Sequence, residues 1–483
     1  MKEPGASGLE SPRHPPGFRA RRGLNWGFLG LLYTSFYLCR YNLSIANLSI
    51  SHEFGFTRAE MGVIITTSLL AYAFGQIING LMTDRIGGKK AMLIGAAGTV
   101  AMNILFGAAS FCGVLHPELA DANHPTGQWV IRFSVFHMEV FFRLLALFVA
   151  IRGVDGYLQA WGAPGMIKIN TAWFSRRERG RFAGIFGFMI NLGRLGIFTL
   201  GPALLGGFVF LGMLHVKPMH WRWLFWAPSL ICAFVAVCMA LTVKETPEEA
   251  GFPGVMAAAG EPPPTPGKHE FGKVLMTILS HPTIWVVASA YACTGVVRQS
   301  VDQWFPRYMQ EVFKMDLSSH QFQWLGLLIP LVASTGSLAS GYISDIVFKG
   351  ARAPVAAVLY FLETVIILLA ARFHTANAAI LFLVLISFTA NSTHSILGTA
   401  AAMDIGGRQM SGFASGLIDS FQYFGGSLAG YVLGWLLDRS LGNYFYFMAP
   451  FGAIGGILML FMMWKTRERD TEAPAAEAAV STK

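Results

Sequence analysis

Two arginines stand inside apolar runs of this 483-residue chain, Arg40 in "YLCRYNLSIA" and Arg298 in "TGVVRQSVDQWFP". A guanidinium stays charged at any ordinary pH, and holding a charge inside a membrane costs at least about 3 kcal/mol. Its planar fork of donors matches phosphate or carboxylate oxygens two at a time. Two forks converging on one point would hold a dianion. The competing reading is a set of interhelical salt bridges, with Asp302, one turn after Arg298, as the nearest candidate partner. Tyr37 lies one turn before Arg40 and shares its helix face. Its phenol is placed either to donate to a phosphate oxygen or to bond a neighbouring helix.

Other polar groups interrupt the later apolar runs. Arg152, Asp155, Gln159 and Lys168 fall in one, and Asn191 and Arg194 in the next. Glu363, His394, Asp419 and Gln422 follow in three more. Arg152 and Asp155 are spaced to neutralise each other, and Lys168 is close enough to its run's end to snorkel. Asp155, Glu363, Asp404 and Asp419 have the chemistry of proton relays. His394 suits proton coupling or a hydrogen bond within a helix bundle. The sequence holds no phosphate-binding glycine loop, nucleophile elbow or metal triad. "GGSLAG" reads as packing glycine. Enzyme chemistry is excluded on this reading, and neither cofactor nor metal is expected.

The elements that must position these groups follow from composition. The chain is 54% hydrophobic and 13% charged, with mean hydropathy +0.50; soluble chains carry about 25% charged residues. The class is therefore an all-α membrane protein. At about 20 residues per crossing, twelve spans are expected near 24–48, 61–83, 90–112, 141–165, 182–213, 221–243, 283–308, 323–346, 353–372, 378–402, 411–437 and 443–464. Residues 113–140 hold a polar stretch and then "VIRFSVFHMEVFFR", expected as an interfacial helix. All five cysteines fall in apolar runs and read as buried small hydrophobes.

The net charge of +9 sits in short loops, "DRIGGKK", "SRRERGR", "FKGARAP" and the C-terminal "KTRER". That pattern orients membrane helices and gives no reason to expect nucleic acid. It puts both termini in the cytoplasm. A basic tail (1–23) and a C-terminal tail (466–483) are expected to be disordered. A Pro-, Gly- and Glu-rich linker (244–280) separates six-helix bundles at 24–243 and 281–465.

The halves repeat. Gly80 and Asp84 of "GLMTDRIGGKK" answer Gly341 and Asp345 of "GYISDIVFKGARA", and the offset from Arg40 to Arg298 is close to theirs. Such a repeat implies a pseudo-twofold axis along the membrane normal and a site between the halves near mid-bilayer. Asp84 and Arg85, with Asp345 and the Arg179 of "SRRERGR", are placed for gating, through pairs that form in one conformation only.

Twelve spans and "GxxxDRxGGKK" resemble the major facilitator superfamily. Within it, "YLCRYNLSIA", "YLQAWGAPGMIKINTAWFSRRERG", "KETPEEAGFP" and "VVRQSVDQWFPRYMQEVF" resemble the organophosphate:phosphate antiporter family, over about residues 24–465. The resemblance implies that Arg40 and Arg298 bind phosphate, and that Tyr37, Tyr72 and Gln159 hold family positions. "VVRxxxDQW" is similar to hexose-phosphate members. Gln76 stands where glycerol-phosphate carriers have lysine, and Ile190 where they have histidine, before a matching Asn191. Ser392 and Thr393 replace a Gly-Pro pair, and Arg194 replaces glycine. These departures bear on the organic part of the substrate.

The expected activity is exchange of a sugar phosphate or glycerol phosphate for inorganic phosphate by alternating access. It would be carried out by a monomer in an inner or plasma membrane. Two alternatives stay open: a proton- or sodium-coupled organic-acid symporter, and a sugar-phosphate sensor that does not transport.

Overall fold

The structure is a computed structural model describing residues 15–135, 138–174, 179–210, 214–255, 276, 280, 282–348, 352–401 and 416–481. Its first half holds α1 (Phe18–Arg40), α2 (Asn42–Phe54), α3 (Arg58–Ile86), α4 (Gly88–Ala109), α5 (Leu144–Gln159), α6 (Gly162–Trp173), α7 (Arg179–Gly206) and α8 (Trp223–Thr242). The second half holds α9 (Pro282–Phe313), α10 (His320–Ile346), α11 (Arg352–Ala370) and α12 (Ala376–Ser395). It ends with α13 (416–426), α14 (Tyr431–Arg439) and α15 (Asn443–Ser481). The pairs α1/α2, α5/α6 and α13/α14 are single crossings broken by one to four residues.

Local chemistry sets several starts. Thr57 and Glu60 form a reciprocal capping box on α3. Ser319 caps α10 and Thr375 caps α12. Glu245, from "KETPEE", accepts from Gly88 N at 2.6 Å, putting a carboxylate at the N-terminus of α4. Phe18 stacks on Trp173 and meets Phe252 edge-on, and Trp173 donates to Lys244 O at 3.1 Å. The start of the linker is thus fastened to the first half.

Among the described residues nine helical segments are long and apolar enough to cross a membrane. The remaining three crossings are α1/α2, α9 and α13/α14, the ones that bring Arg40, Arg298 and Asp419 to the centre. Hydropathy is weakest where the chemistry is concentrated. Burial runs opposite to a soluble protein. Phe234, Leu241, Leu338 and Val358 are exposed, while Arg40, Arg152, Arg194 and Arg298 are buried. The chain is an integral multi-pass membrane protein whose outer surface faces lipid.

Packing repeats between halves. The second span packs on the fourth (α3 on α5) as the eighth packs on the tenth (α10 on α12). The third packs on the sixth (α4 on α8) as the ninth on the twelfth (α11 on α15). Across the halves, α3 meets α14 and α7 meets α10, contacts that a twofold exchange of the two bundles interconverts. This is the pseudo-twofold architecture that the repeat implies.

Three expectations need correction. Residues 113–140 form no interfacial helix. β1 (Val114–His116), β2 (Gln128–Val135) and β3 (Met138–Arg143) make an antiparallel sheet, with Val130 opposite Arg143 and Ile131 opposite Phe142. The β-branched and aromatic residues there favour strands, and a short apolar run does not by itself distinguish strand from helix. A second hairpin, β4 (Phe208–Phe210) with β5 (Leu214–Val216), lies where the fifth span was expected to continue. α1 begins at Phe18 and α15 continues to Ser481, through a segment rich in Ala, Glu and Arg, which are strong helix formers. Lastly, Cys39, Cys232 and Cys293 are buried, but Cys112 is exposed. Most of the 244–280 linker and Asp404 lie outside the described residues.

Candidate functional site

Arg40 is the last residue of α1, where the helix breaks at Tyr41. Its guanidinium lies between the faces of Tyr37 and Tyr72, 4.5 and 4.2 Å from the ring centroids. Aromatic faces attract cations without neutralising them. Its Nε donates to Gln159 Oε1 at 2.9 Å and its Nη1 to Tyr423 Oη at 3.0 Å, while Nη2 has no partner. Tyr37, Tyr72 and Gln159 therefore gather around Arg40. Tyr37 meets it with a ring face.

Arg298 sits mid-way along α9, 2% exposed, and none of its three guanidinium nitrogens has a hydrogen-bond partner. Asp302, one turn on, approaches its Nε only to 4.0 Å. That carboxylate is turned instead to Arg194 of the opposite half, whose Nη2 donates to Oδ1. Arg194 Nη1 also donates to Asn191 Oδ1 at 2.9 Å. Asn191 thus steadies Arg194. Arg152 and Asp155 neutralise each other at 2.9 Å. Of these four arginines, Arg40 and Arg298 have no carboxylate at hydrogen-bonding distance among the described residues.

His394 lies on the second-half side of the centre, its Nδ1 2.5 Å from Tyr291 Oη. Asp419 accepts from Gln76 at 3.0 Å across the halves and from Tyr291 at 3.4 Å. The space beside Arg40, lined by Tyr72, Arg152, Gln159, Gln303 and Tyr423, measures about 10 Å³. That holds one water at most. A wider recess of about 400 Å³ lies at the end opposite the termini, lined by Glu53, His220, Gln310 and Asp316. It carries two carboxylates and neither arginine, so it does not suit an anion.

Near that end the halves are fastened together. Asp438 accepts from the backbone N–H groups of Arg58 and Ala59 at 2.9 and 2.8 Å, sitting on the N-terminus of α3. Glu311 bridges Arg58 (2.9 Å) and Arg307 (2.8 Å), and Arg307 reaches Asn47 at 2.7 Å. Thr66 donates to Ser427 O at 2.7 Å. Toward the termini, the cross-half hydrogen bonds of the described residues stop at Gln76 with Asp419. Of the gating residues expected from sequence, Arg85 is exposed at the end of α3. The side chains of Asp84, Asp345 and Arg179 lie outside the described residues.

Sequence reasoning missed this second set of gate candidates because Arg58, Arg307, Glu311 and Asp438 sit at span ends, where charge is ordinary. It also missed Tyr423 and the Arg194–Asp302 partnership, which no spacing within one helix reveals. The fastening makes a checkable expectation. With Cys112 replaced by serine, a cysteine placed at Gln303 is tested with an impermeant thiol reagent added opposite the termini. Glu311→Gln is expected to raise its labelling several-fold, because each weakened pair contributes on the order of 1 kcal/mol to the closed state. An unchanged rate would mean these pairs do not hold that end shut.

Known proteins agree with the fold. The family model described as "Major Facilitator Superfamily" matches residues 29–430. The glycerol-3-phosphate transporter of Bacillus subtilis is 27% identical over 458 residues, covering 92% of each chain. A "Probable hexose phosphate transport protein" of Chlamydia trachomatis is 25% identical over 463 residues, covering 92% of this chain and 90% of its own. A solved bacterial homolog of the human lysosomal transporter Spinster, inward-facing and unoccupied, superposes with TM-score 0.67 at 16% identity, covering 91% and 96% of the two chains. With a family model spanning most of its length and a two-bundle packing that repeats span for span, the chain belongs to the Major Facilitator Superfamily.

Proposed function

We propose that this protein is a secondary transporter that exchanges a phosphorylated organic anion, a sugar phosphate or glycerol phosphate, for inorganic phosphate. The observation that carries this reading is the pair of buried arginines from opposite halves with no carboxylate at hydrogen-bonding distance, Arg298 having no hydrogen-bond partner at all among the described residues. An unpaired buried cation costs several kcal/mol and is retained where an anion compensates it. A phosphate monoester brings close to two charges and three acceptor oxygens. It would lie between Arg40 and Arg298, with Gln159 and Tyr423 bonding the first arginine and Tyr37 and Tyr72 supporting it. The relatives named above as carriers of phosphorylated compounds support the same class.

Transport then follows from which half each arginine belongs to. An anion held by both draws the halves together and lowers the cost of bringing two cationic surfaces into contact. The loaded carrier therefore switches sides more readily than the empty one, which is the behaviour of an exchanger. In an inner or plasma membrane with both termini cytoplasmic, the fastening at Arg58, Arg307, Glu311 and Asp438 would close the external side.

The test is labelled phosphate efflux from proteoliposomes loaded with phosphate, against glycerol phosphate, hexose phosphates, carboxylates and a pH gradient. Organophosphate-driven efflux supports exchange. Carboxylate uptake driven by the pH gradient, with no response to any organophosphate, would sink it. Arg40→Lys keeps the charge but loses the fork, and exchange is expected to fall by about a hundredfold, two charge-assisted hydrogen bonds being at stake. Near-parental exchange would make Arg40 structural.

A further inference from the structure

We infer that Arg194 is the residue that fixes the charge of the bound anion, by occupying Asp302 and so leaving Arg298 free; this rests on the phosphate reading above. Asp302 is fully buried on α9 and stands between two arginines. Arg298 belongs to its own helix and faces its Oδ2 from 4.0 Å. Arg194 comes from α7 in the other half and takes its Oδ1. Oδ2 has no hydrogen-bond donor.

One carboxylate thus serves two cations, and the hydrogen bond goes to the arginine outside the anion pair. Without Arg194, Asp302 would be a buried carboxylate with one cation in reach, one turn away on the same helix. That is the spacing at which a helical ion pair closes. Arg298 would then be neutralised internally, and the second half would have no free charge for the anion. The site would fall from one suited to a dianion to one suited to a monoanion. Arg194 acts through Asp302, so it is a positioning residue and need not touch the substrate.

Among the described residues, no other cation pairs with Asp302. The phenols of Tyr41 on the α1/α2 break and Tyr444 on α15 lie near it. Ser44 donates to the backbone carbonyl of Asp302 at 2.7 Å and holds α9 against α2 independently of the carboxylate. Asn391 accepts from Arg194 Nη1 at 3.4 Å, completing a cradle of amides that keeps the guanidinium pointed across the halves. Of the other carboxylates described near the centre, Asp155 pairs with Arg152, and Asp419 is held by Gln76 and Tyr291.

Methyl phosphate and methyl sulfate are near-identical in shape, and at mildly alkaline pH they differ by about one charge. Their dissociation constants, measured calorimetrically on the purified full chain, give a dianion preference that does not depend on transport. The parent is expected to prefer methyl phosphate. In Arg194→Gln that preference is expected to fall by about tenfold or more, the scale of one unit charge a few ångströms away in a protein interior. In Arg194→Gln with Asp302→Asn it should return, because the competing carboxylate is gone with its partner. A structural role for Arg194 would weaken both ligands equally and leave the ratio alone.

A folded Arg194→Gln protein with the parental ratio overturns the inference. So does a folded double variant whose ratio stays low, and that variant is the informative one if the single change does not fold. A parent that binds methyl phosphate preferentially but exchanges nothing refutes the exchange reading and leaves this inference standing.

Discussion

Arg298→Gln is expected to abolish exchange while leaving the folded protein as stable as the parent, or more so. The two effects have one cause. The Arg298 guanidinium is buried, and its three nitrogens have no hydrogen-bond partner among the described residues. Taking an ion out of water without a partner costs several kcal/mol even after relaxation. Glutamine removes that cost and keeps much of the side chain's length. Asp302 is not abandoned, since Arg194 holds it. Thermal unfolding should therefore show an unchanged or raised midpoint. Anion binding loses the fork from one half, two charge-assisted hydrogen bonds of about 1.5–3 kcal/mol each, so exchange should fall by at least about a hundredfold. The measurements are a melting curve in detergent and phosphate counterflow in proteoliposomes. A lower midpoint with exchange intact would make Arg298 a structural cation.

The sequence exposes Arg298 because it breaks an apolar run, and a charge in such a run is conspicuous. The same holds for Arg40, and the repeat that joins the two is readable from loop motifs that recur at a fixed offset. The fold class was legible for a related reason: a chain 54% hydrophobic has no soluble solution of this size. What could not be read was the choice of partner. Arg298 and Asp302 are one turn apart, and local spacing pairs them. The structure gives Asp302 to Arg194, more than a hundred positions earlier. That preference depends on how α7 and α9 face each other across the halves, which no window of sequence contains. Tyr423 at Arg40 and Asp438 at the start of α3 are similar cases. The sheet at residues 114–143 was hidden differently, because its short strands fall below the length at which periodicity separates strand from helix.

Arg152 gives the opposite forecast to Arg298, although both are buried arginines. Arg152 Nη1 pairs with Asp155 at 2.9 Å, and Nη2 donates to the carbonyl of Arg40 at 3.1 Å. That carbonyl belongs to the last turn of α1, where the break at Tyr41 leaves acceptors without intrahelical donors. A guanidinium there satisfies them and suits the negative end of the helix. Arg152→Gln leaves Asp155 buried with only amide donors, Gln159 at 3.0 Å and Asn103 at 3.2 Å, and leaves the end of α1 uncapped. Breaking a buried pair from one side costs about 3–5 kcal/mol. The melting midpoint should drop by roughly 6–20 °C, at about 2–4 °C per kcal/mol for a domain of some 200 residues. Adding Asp155→Asn removes the stranded charge and should recover part of that loss. Arg40 would keep its side-chain partners in the double variant, so exchange should recover along with stability. If Arg152→Gln melts like the parent, the pair does not hold the fold. If the double variant regains stability without exchange, Arg152 belongs with the anion-binding arginines.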